Sequence, residues 1–262
     1  MPTPSEDLEL ALSLADVADR ITLGRFLAED LVIETKPDLT PVSEADTAVE
    51  RAIREVLAEL RPEDSVLGEE YGVSAGGGAR RWIVDPIDGT KGYVRGIPVW
   101  ATLVALQEDG EPSVAVVSAP AMRRRWWAAR GMGAFTDDGL SDGSGPLRVS
   151  AVARLEDAQV SYGGLEDWQD LGRADATLEL VGSCWRSRNF GDFWAYMLVA
   201  EGAVEVALDP VVSLWDLAAP QLIVEEAGGR FTDLGGVRSA EGGDAIATNG
   251  LVHDAALAII GR

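Results

Sequence analysis

Apolar positions along this chain recur with a helical period in some stretches and as short uninterrupted runs in others, and the alternation predicts its elements. Between residues 5 and 29, Leu8, Leu12, Ala15, Ala18, Ile21, Phe26 and Leu27 fall on one stripe, which predicts an amphipathic helix with Ser5 as its N-cap. A short strand at 31–34 and a polar loop at 35–40 follow. A second helix is expected after Ser43, whose hydroxyl can cap it, running to about Leu60 ahead of Pro62. The apolar runs at 65–67 and 82–84 read as strands, and the glycine-rich stretch 71–78 between them as a flexible connection. Residues 100–106 and 113–118 read as a hairpin turning at 108–111, with 126–129 continuing the meander.

Residues 137–145, rich in Asp, Gly and Ser, predict a mobile loop near a lobe boundary, dividing the chain into lobes 1–149 and 150–262. In the second lobe 159–162, 178–182 and 203–208 read as strands. Residues 190–201 read as a helix with Phe193, Met197 and Ala200 at helical spacing. A helix over 215–227 contains Pro220, either early enough to be tolerated or kinking it. Phe231, 245–248 and 251–260 complete a strand, strand, helix ending. Strands and helices interleaved in this way predict an α/β fold.

Composition narrows the class. The 262 residues are 47% hydrophobic, as in a globular protein able to bury a large core. Forty-four acidic residues against 22 basic give a net charge of -22, which opposes binding to nucleic acid or anionic lipid. The same charge repels a phosphorylated ligand unless metal cations reverse the local sign. Cys184 is the only cysteine, so an intramolecular disulfide and a multi-cysteine metal centre are excluded; it reads as a small packed hydrophobe in a reducing cytoplasm. The first ten residues carry Glu6, Asp7 and Glu9 where a secretory leader is basic. No apolar run reaches the roughly 18 residues of a membrane span, so a cytoplasmic protein with no membrane partner is expected. His253 is the only histidine and falls in the last helix, which leaves histidine-based triads without members. The stretch 71–78 lacks the P-loop pattern, and 137–145 misses that of an EF-hand. The basic run 123–125 reads as a solvated turn or an oligomer contact.

The candidate chemistry centres on residues 82–90, where an apolar run stops at two aspartates. Asp85 and Asp88 leave the strand together, and Pro86 holds the intervening backbone irregular with the Ile87 carbonyl free to ligate. Gly89 presents no side chain to an incoming phosphate. Thr90 adds a hydroxyl and begins a turn or helix whose amides can face an anion. Such hard oxygen donors suit magnesium; the competing reading is a strand followed by a solvated turn. Two other stretches bear on the choice, Gly68-Glu69-Glu70 and the run from Leu214 to Ala219, which contains Asp216. Asp46 reads as a helix-start acid on its own.

Together the Gly-Glu-Glu, Asp-Pro-Ile-Asp-Gly-Thr and Trp-Asp-Leu-Ala-Ala motifs resemble, in order and separation, the inositol monophosphatase superfamily of magnesium-dependent, lithium-sensitive phosphatases. The resemblance implies a layered αβαβα sandwich of the inositol monophosphatase/fructose-1,6-bisphosphatase type, a site between two lobes, and a homodimer. It implies two or three Mg2+ ions, with Mn2+ an acceptable substitute. One is held by Glu69, Asp85, the Ile87 carbonyl and Thr90, a second by Asp85, Asp88 and Asp216, and a weaker third by Glu69 and Asp46. Lys36 matches a family lysine near this site. Catalysis would use a metal-activated water oriented by Glu69 and Thr90, with Asp88 in the metal set and the amides of Gly89 and Thr90 on the phosphate. Asp192 and Asp209 occupy substrate-facing family positions, and two carboxylates there suit an ammonium or imidazolium group, with Arg188 and Asn189 as further pocket candidates and Arg186 equally suited to a structural role. The pattern resembles the bacterial histidinol-phosphate phosphatase branch, which implies L-histidinol phosphate as substrate. Inositol-1-monophosphatase and 3'-phosphoadenosine 5'-phosphate phosphatase are alternatives within the fold, and a protein-binding regulatory role is an alternative of another class.

Overall fold

The computed structural model describes residues 3–37, 40–74, 76, 78–137, 139 and 144–261. The first helix, α1 (Pro4–Arg25), is capped by Thr3 and not by Ser5. The Glu6 N–H donates to the Thr3 hydroxyl at 3.3 Å and the Glu6 carboxylate accepts from the Thr3 N–H at 2.7 Å, with Pro4 in the first turn where a missing N–H costs nothing. The helix also stops before residue 29. Leu27 takes a left-handed backbone, with φ 61°, and Phe26 turns back onto Tyr93 and Trp100. A two-stranded ribbon of β1 (Ile33–Thr35) and β2 (Pro41–Ser43) leads into α2 (Glu44–Leu60), which Ser43 caps as the sequence predicts. Residues 38 and 39 of the expected loop lie outside the described residues.

The stretch expected to be a flexible connection contains a strand. After β3 (Ser65–Gly68) the chain turns at Gly72, with φ 64°, and β4 (Gly72–Ser74) pairs back antiparallel. Residues 75 and 77 lie outside the described residues. The central β5 (Arg80–Asp88) is followed by α3 (Thr90–Tyr93), then the hairpin of β6 (Ala101–Glu108) and β7 (Glu111–Ala119). Its turn places Asp109 and Gly110 both at positive φ, which matches the right-handed strand twist. β8 (Arg124–Ala129) takes in two of the three arginines expected in a solvated turn. Arg125 pairs with Asp19 of α1 at 2.6 Å and Arg124 with Glu201 at 2.6 Å, so acids from neighbouring segments fix them in the sheet. β9 (Ala134–Asp137) and β10 (Gly145–Pro146) flank the expected loop, of which 138 and 140–143 lie outside the described residues.

The second half contains β11 (Gln159–Tyr162), α4 (Leu165–Asp170), α5 (Ala174–Ser183), β12 (Arg186–Ser187), α6 (Asp192–Ala200), β13 (Val206–Asp209), α7 (Leu214–Glu226), β14 (Arg230–Thr232), β15 (Ala245–Thr248) and α8 (His253–Ile260). The strand expected at 178–182 is helical. Thr177, Leu180, Val181 and Cys184 recur at helical spacing and turn inward, whereas Leu178 is exposed. Pro220 lies within α7 without ending it. Having no N–H, it leaves the Asp216 carbonyl without its helical donor.

The elements stack in five layers. An eight-stranded sheet of order β10-β9-β8-β7-β6-β5-β3-β4 carries α1 and α2 on one face, where Leu14 and Ile53 meet Trp82, Val84 and Val104. On its other face Ile83, Leu103 and Val117 share a core with Met197 of α6 and Leu222 and Ile223 of α7. These two helices form the middle layer and also contact a five-stranded sheet of order β12-β11-β13-β15-β14. The far face of that sheet packs Val160, Val206 and Ile246 against Leu180 of α5 and Ala256 and Ile260 of α8. This is the αβαβα sandwich.

Candidate active site

Side chains alternate along β5, so Trp82 and Val84 enter the α1–α2 core while Ile83 points toward α6 and α7. Asp85 has the parity of Ile83, and in a regular strand Asp88 would face the opposite way. The register prevents this: Asp85 pairs with Leu103 and Asp88 with Ala101, so three steps on β5 match two on β6. A bulge of one residue therefore brings the two carboxylates to the same side. The sequence predicted an irregular loop here, but strand pairing continues to Asp88. The Pro86 carbonyl is taken by the Thr102 hydroxyl at 2.7 Å, and the Ile87 carbonyl, expected to be free for ligation, accepts from the Thr90 hydroxyl at 2.7 Å.

Asp216 arrives from α7. Ser213 caps that helix and donates its N–H to Asp216 Oδ2 at 2.7 Å, which fixes the carboxylate at the helix start. Asp85, Asp88 and Asp216 each offer an oxygen, and the three atoms lie within 4.8 Å of one another. Burial pushes the Asp85 carboxyl well above its usual range, and the charges of Glu69, Asp88, Asp216 and Asp46 push the same way. Asp88 is raised by burial and by Asp192 and Asp216, against the Phe193 N–H that it accepts at 2.6 Å. Asp216 is pushed up to about 6, chiefly by burial. Asp85 Oδ1 is buried without a hydrogen-bond partner. Three carboxylates so close, two buried and one half-buried, with one orphaned oxygen among them, fit a hard divalent cation.

The remaining predicted residues take different places. Asp46 is wholly buried, and Oδ2 closes the α2 capping box by accepting from Ser43 N and Oγ at 2.8 and 2.6 Å. Its Oδ1 lies 3.0 Å from the Thr90 hydroxyl, so Asp46 serves both the helix start and the site wall. Glu69 and Glu70 share Lys36, whose ammonium lies 2.7 and 2.8 Å from their Oε1 atoms. Burial pushes Glu70 up to about 7. Gly89 has φ 87°, and a Cβ there would lie 3.1 Å from the Val99 carbonyl and 3.2 Å from Asp192 Oδ2, which puts Asp192 beside the motif. Asp192 itself holds a left-handed backbone with φ 47°. Asp209 accepts from the Tyr196 hydroxyl at 2.6 Å and is pushed up to about 6, chiefly by burial. Arg188 and Asn189 are exposed, and the Arg188 guanidinium donates to the Ser187 carbonyl at 2.7 Å.

Sequence reasoning missed Tyr196 and the cavity of about 380 Å³ that Lys91, Arg95, Ile97, Val99, Phe190 and Asp192 line beside Gly89. Tyr196 reads as one more apolar position of α6, and only its phenol contact with Asp209 marks it.

Residues 4–260 match the inositol monophosphatase family. The chain is 57% identical over 254 residues to a histidinol-phosphatase of Mycobacterium tuberculosis, covering 96% of each chain. It is 53% identical over 266 residues to a histidinol-phosphatase of Streptomyces coelicolor, covering 100% of this chain and 99% of that protein. Its fold superposes on the crystal structure of the extragenic suppressor protein SuhB from Bartonella henselae with TM-score 0.87 at 28% identity, covering 97% of this chain and 98% of the other.

Proposed function

This chain belongs to the inositol monophosphatase family and is a phosphomonoesterase, and from that premise we propose that it is a Mg2+-dependent histidinol-phosphatase, converting L-histidinol phosphate and water to L-histidinol and phosphate. The observation that carries the metal requirement is the convergence of Asp85, Asp88 and Asp216 around an unpartnered Asp85 oxygen. The substrate assignment rests on the two histidinol-phosphatases that resemble the chain across nearly its whole length.

In this reading Asp85, Asp88 and Asp216 hold the cations, joined by Glu69, and the lobe 1–149 supplies all of these ligands except Asp216, which lies in 150–262. Bound magnesium would supply a water acidic enough to act at neutral pH and would offset the charge of the phosphate and of the leaving oxygen. Glu69 and Thr90 would orient that water. The Thr90 hydroxyl has one hydrogen for two nearby acceptors, Ile87 O and Asp46 Oδ1, so it donates to one of them at a time. Gly89 leaves room for the phosphate, and Asp192, against Gly89, reads the positive end of the leaving group. Asp209, oriented by Tyr196, is the second carboxylate of that recognition. A cytoplasmic homodimer belongs to the same proposal.

The test is phosphate release from L-histidinol phosphate, inositol 1-phosphate and 3'-phosphoadenosine 5'-phosphate, each with magnesium and with chelator. A magnesium-dependent preference for L-histidinol phosphate supports the reading. Preference for either other ester removes the substrate assignment and leaves the metal site standing.

A further inference from the structure

We propose that Glu50, which no part of the reaction scheme uses, is a positioning residue that sets Glu69 in place for the cation site. Glu50 lies on α2 with no exposed surface, yet it is a carboxylate. Its Oε2 accepts the Glu70 N–H at 2.7 Å, and its Oε1 accepts the Tyr71 N–H at 3.2 Å. The two amides thus close on one carboxylate in the turn that follows β3. Arg54, one helical turn on, meets Glu50 Oε1 at 2.7 Å, donates to the Gly72 carbonyl and stands 5.9 Å over the Tyr71 ring. A buried carboxylate with two amide donors and a guanidinium is fully satisfied, and each of its partners lies in or against the same turn.

The approach is closer than any side chain would permit. A Cβ on Gly68 would fall 2.1 to 2.5 Å from the Glu50 carboxylate atoms, so only glycine lets the turn sit on α2. From the other side, the Glu69 N–H donates to the Val84 carbonyl at 3.3 Å, tying the turn to β5 one residue before Asp85. Glu69 is therefore held between two anchors, the β3–β5 ladder and Glu50. Glu50 itself touches none of Asp85, Asp88 or Asp216; it acts on the site through the turn backbone. Outer groups that orient metal ligands commonly change metal affinity by about 10–100-fold when replaced. The inference rests on Glu69 being a metal ligand.

The experiment compares the wild type with Glu50→Gln, which replaces one of the two acceptor oxygens by an NH2 facing a donor. Magnesium affinity is measured by calorimetry, and hydrogen exchange is measured at Glu70 and Tyr71. Magnesium binding is expected to weaken by about 10-fold or more, and the two amides to exchange at least about 10-fold faster, while those of residues 82–84 keep their protection. Turnover at saturating magnesium is expected to return to within a few-fold of wild type. Arg54→Gln, which keeps both acceptors, provides a milder variant of the same sign if Glu50→Gln does not fold. Unchanged magnesium affinity with lowered urea stability alone overturns the proposal, as do unchanged exchange rates. A wild type that takes up no magnesium overturns the metal reading itself, whereas one that binds magnesium no better than the variant overturns only the role of Glu50.

Discussion

At the scale of single residues, the site is made of groups held against their own preference. Asp85 and Asp88 are buried acids held beside the half-buried Asp216, so removing one negative charge relieves the unliganded protein. Asp85→Asn is predicted to raise the melting temperature of the chelated protein, to abolish the rise that magnesium gives wild type, and to lower turnover by at least about 100-fold. Thermal unfolding with and without magnesium, beside an activity assay, checks all three. His253 offers a separate test. It is buried between the Thr232 and Thr248 hydroxyls, 3.1 and 3.0 Å away, and burial pushes its pKa down to about 4. A histidine depressed from 6.5 to about 4 contributes stability that is present above pH 6.5 and is lost as pH falls toward 4, on the order of 3 kcal/mol in all. Because it is the only histidine, its NMR titration is unambiguous and is predicted to show a neutral ring at pH 6. The sequence made the grouping of Asp85, Asp88 and Asp216 legible because they sit in short motifs. Tyr196 and Glu50 were not legible, since their roles come from partners 13 and 20 or 21 positions away.

At the scale of elements, the bulge in β5 decides the geometry. The Pro86 carbonyl inside it is satisfied by Thr102, a residue with no exposed surface. Thr102→Val keeps the shape and removes the donor, so it is predicted to cost about 1–3 kcal/mol in urea unfolding and to reduce turnover through a displaced Asp85. Unchanged urea stability would show that the bulge does not depend on this bond. Where the sequence misread an element, tertiary partners had overridden the local signal. The arginines at 124 and 125 look like turn residues until Glu201 and Asp19 pair with them, and the run at 178–182 looks like a strand until its inward positions prove to be three and four apart. The capping boxes at Ser43 and Ser213 also place an aspartate three residues on, and the same geometry that starts each helix brings Asp46 and Asp216 to the site.

At the scale of the whole molecule, the two sheets and the α6–α7 layer bring together acids that are far apart in sequence, and the net charge of -22 adds to their repulsion. Screening that charge with sodium chloride is predicted to raise the melting temperature of the chelated protein by a few degrees, and millimolar magnesium to raise it further through the site itself. Equal shifts at matched ionic strength would contradict a specific cation site. Among the described residues no helix is long and apolar enough to cross a membrane. The most direct measurement is phosphate release from L-histidinol phosphate by chelated protein with magnesium added back, for wild type and Asp216→Asn. The account predicts full recovery in the wild type and recovery reduced at least about 100-fold in the variant. Equal recovery in both, or turnover undiminished by the chelator, would contradict it.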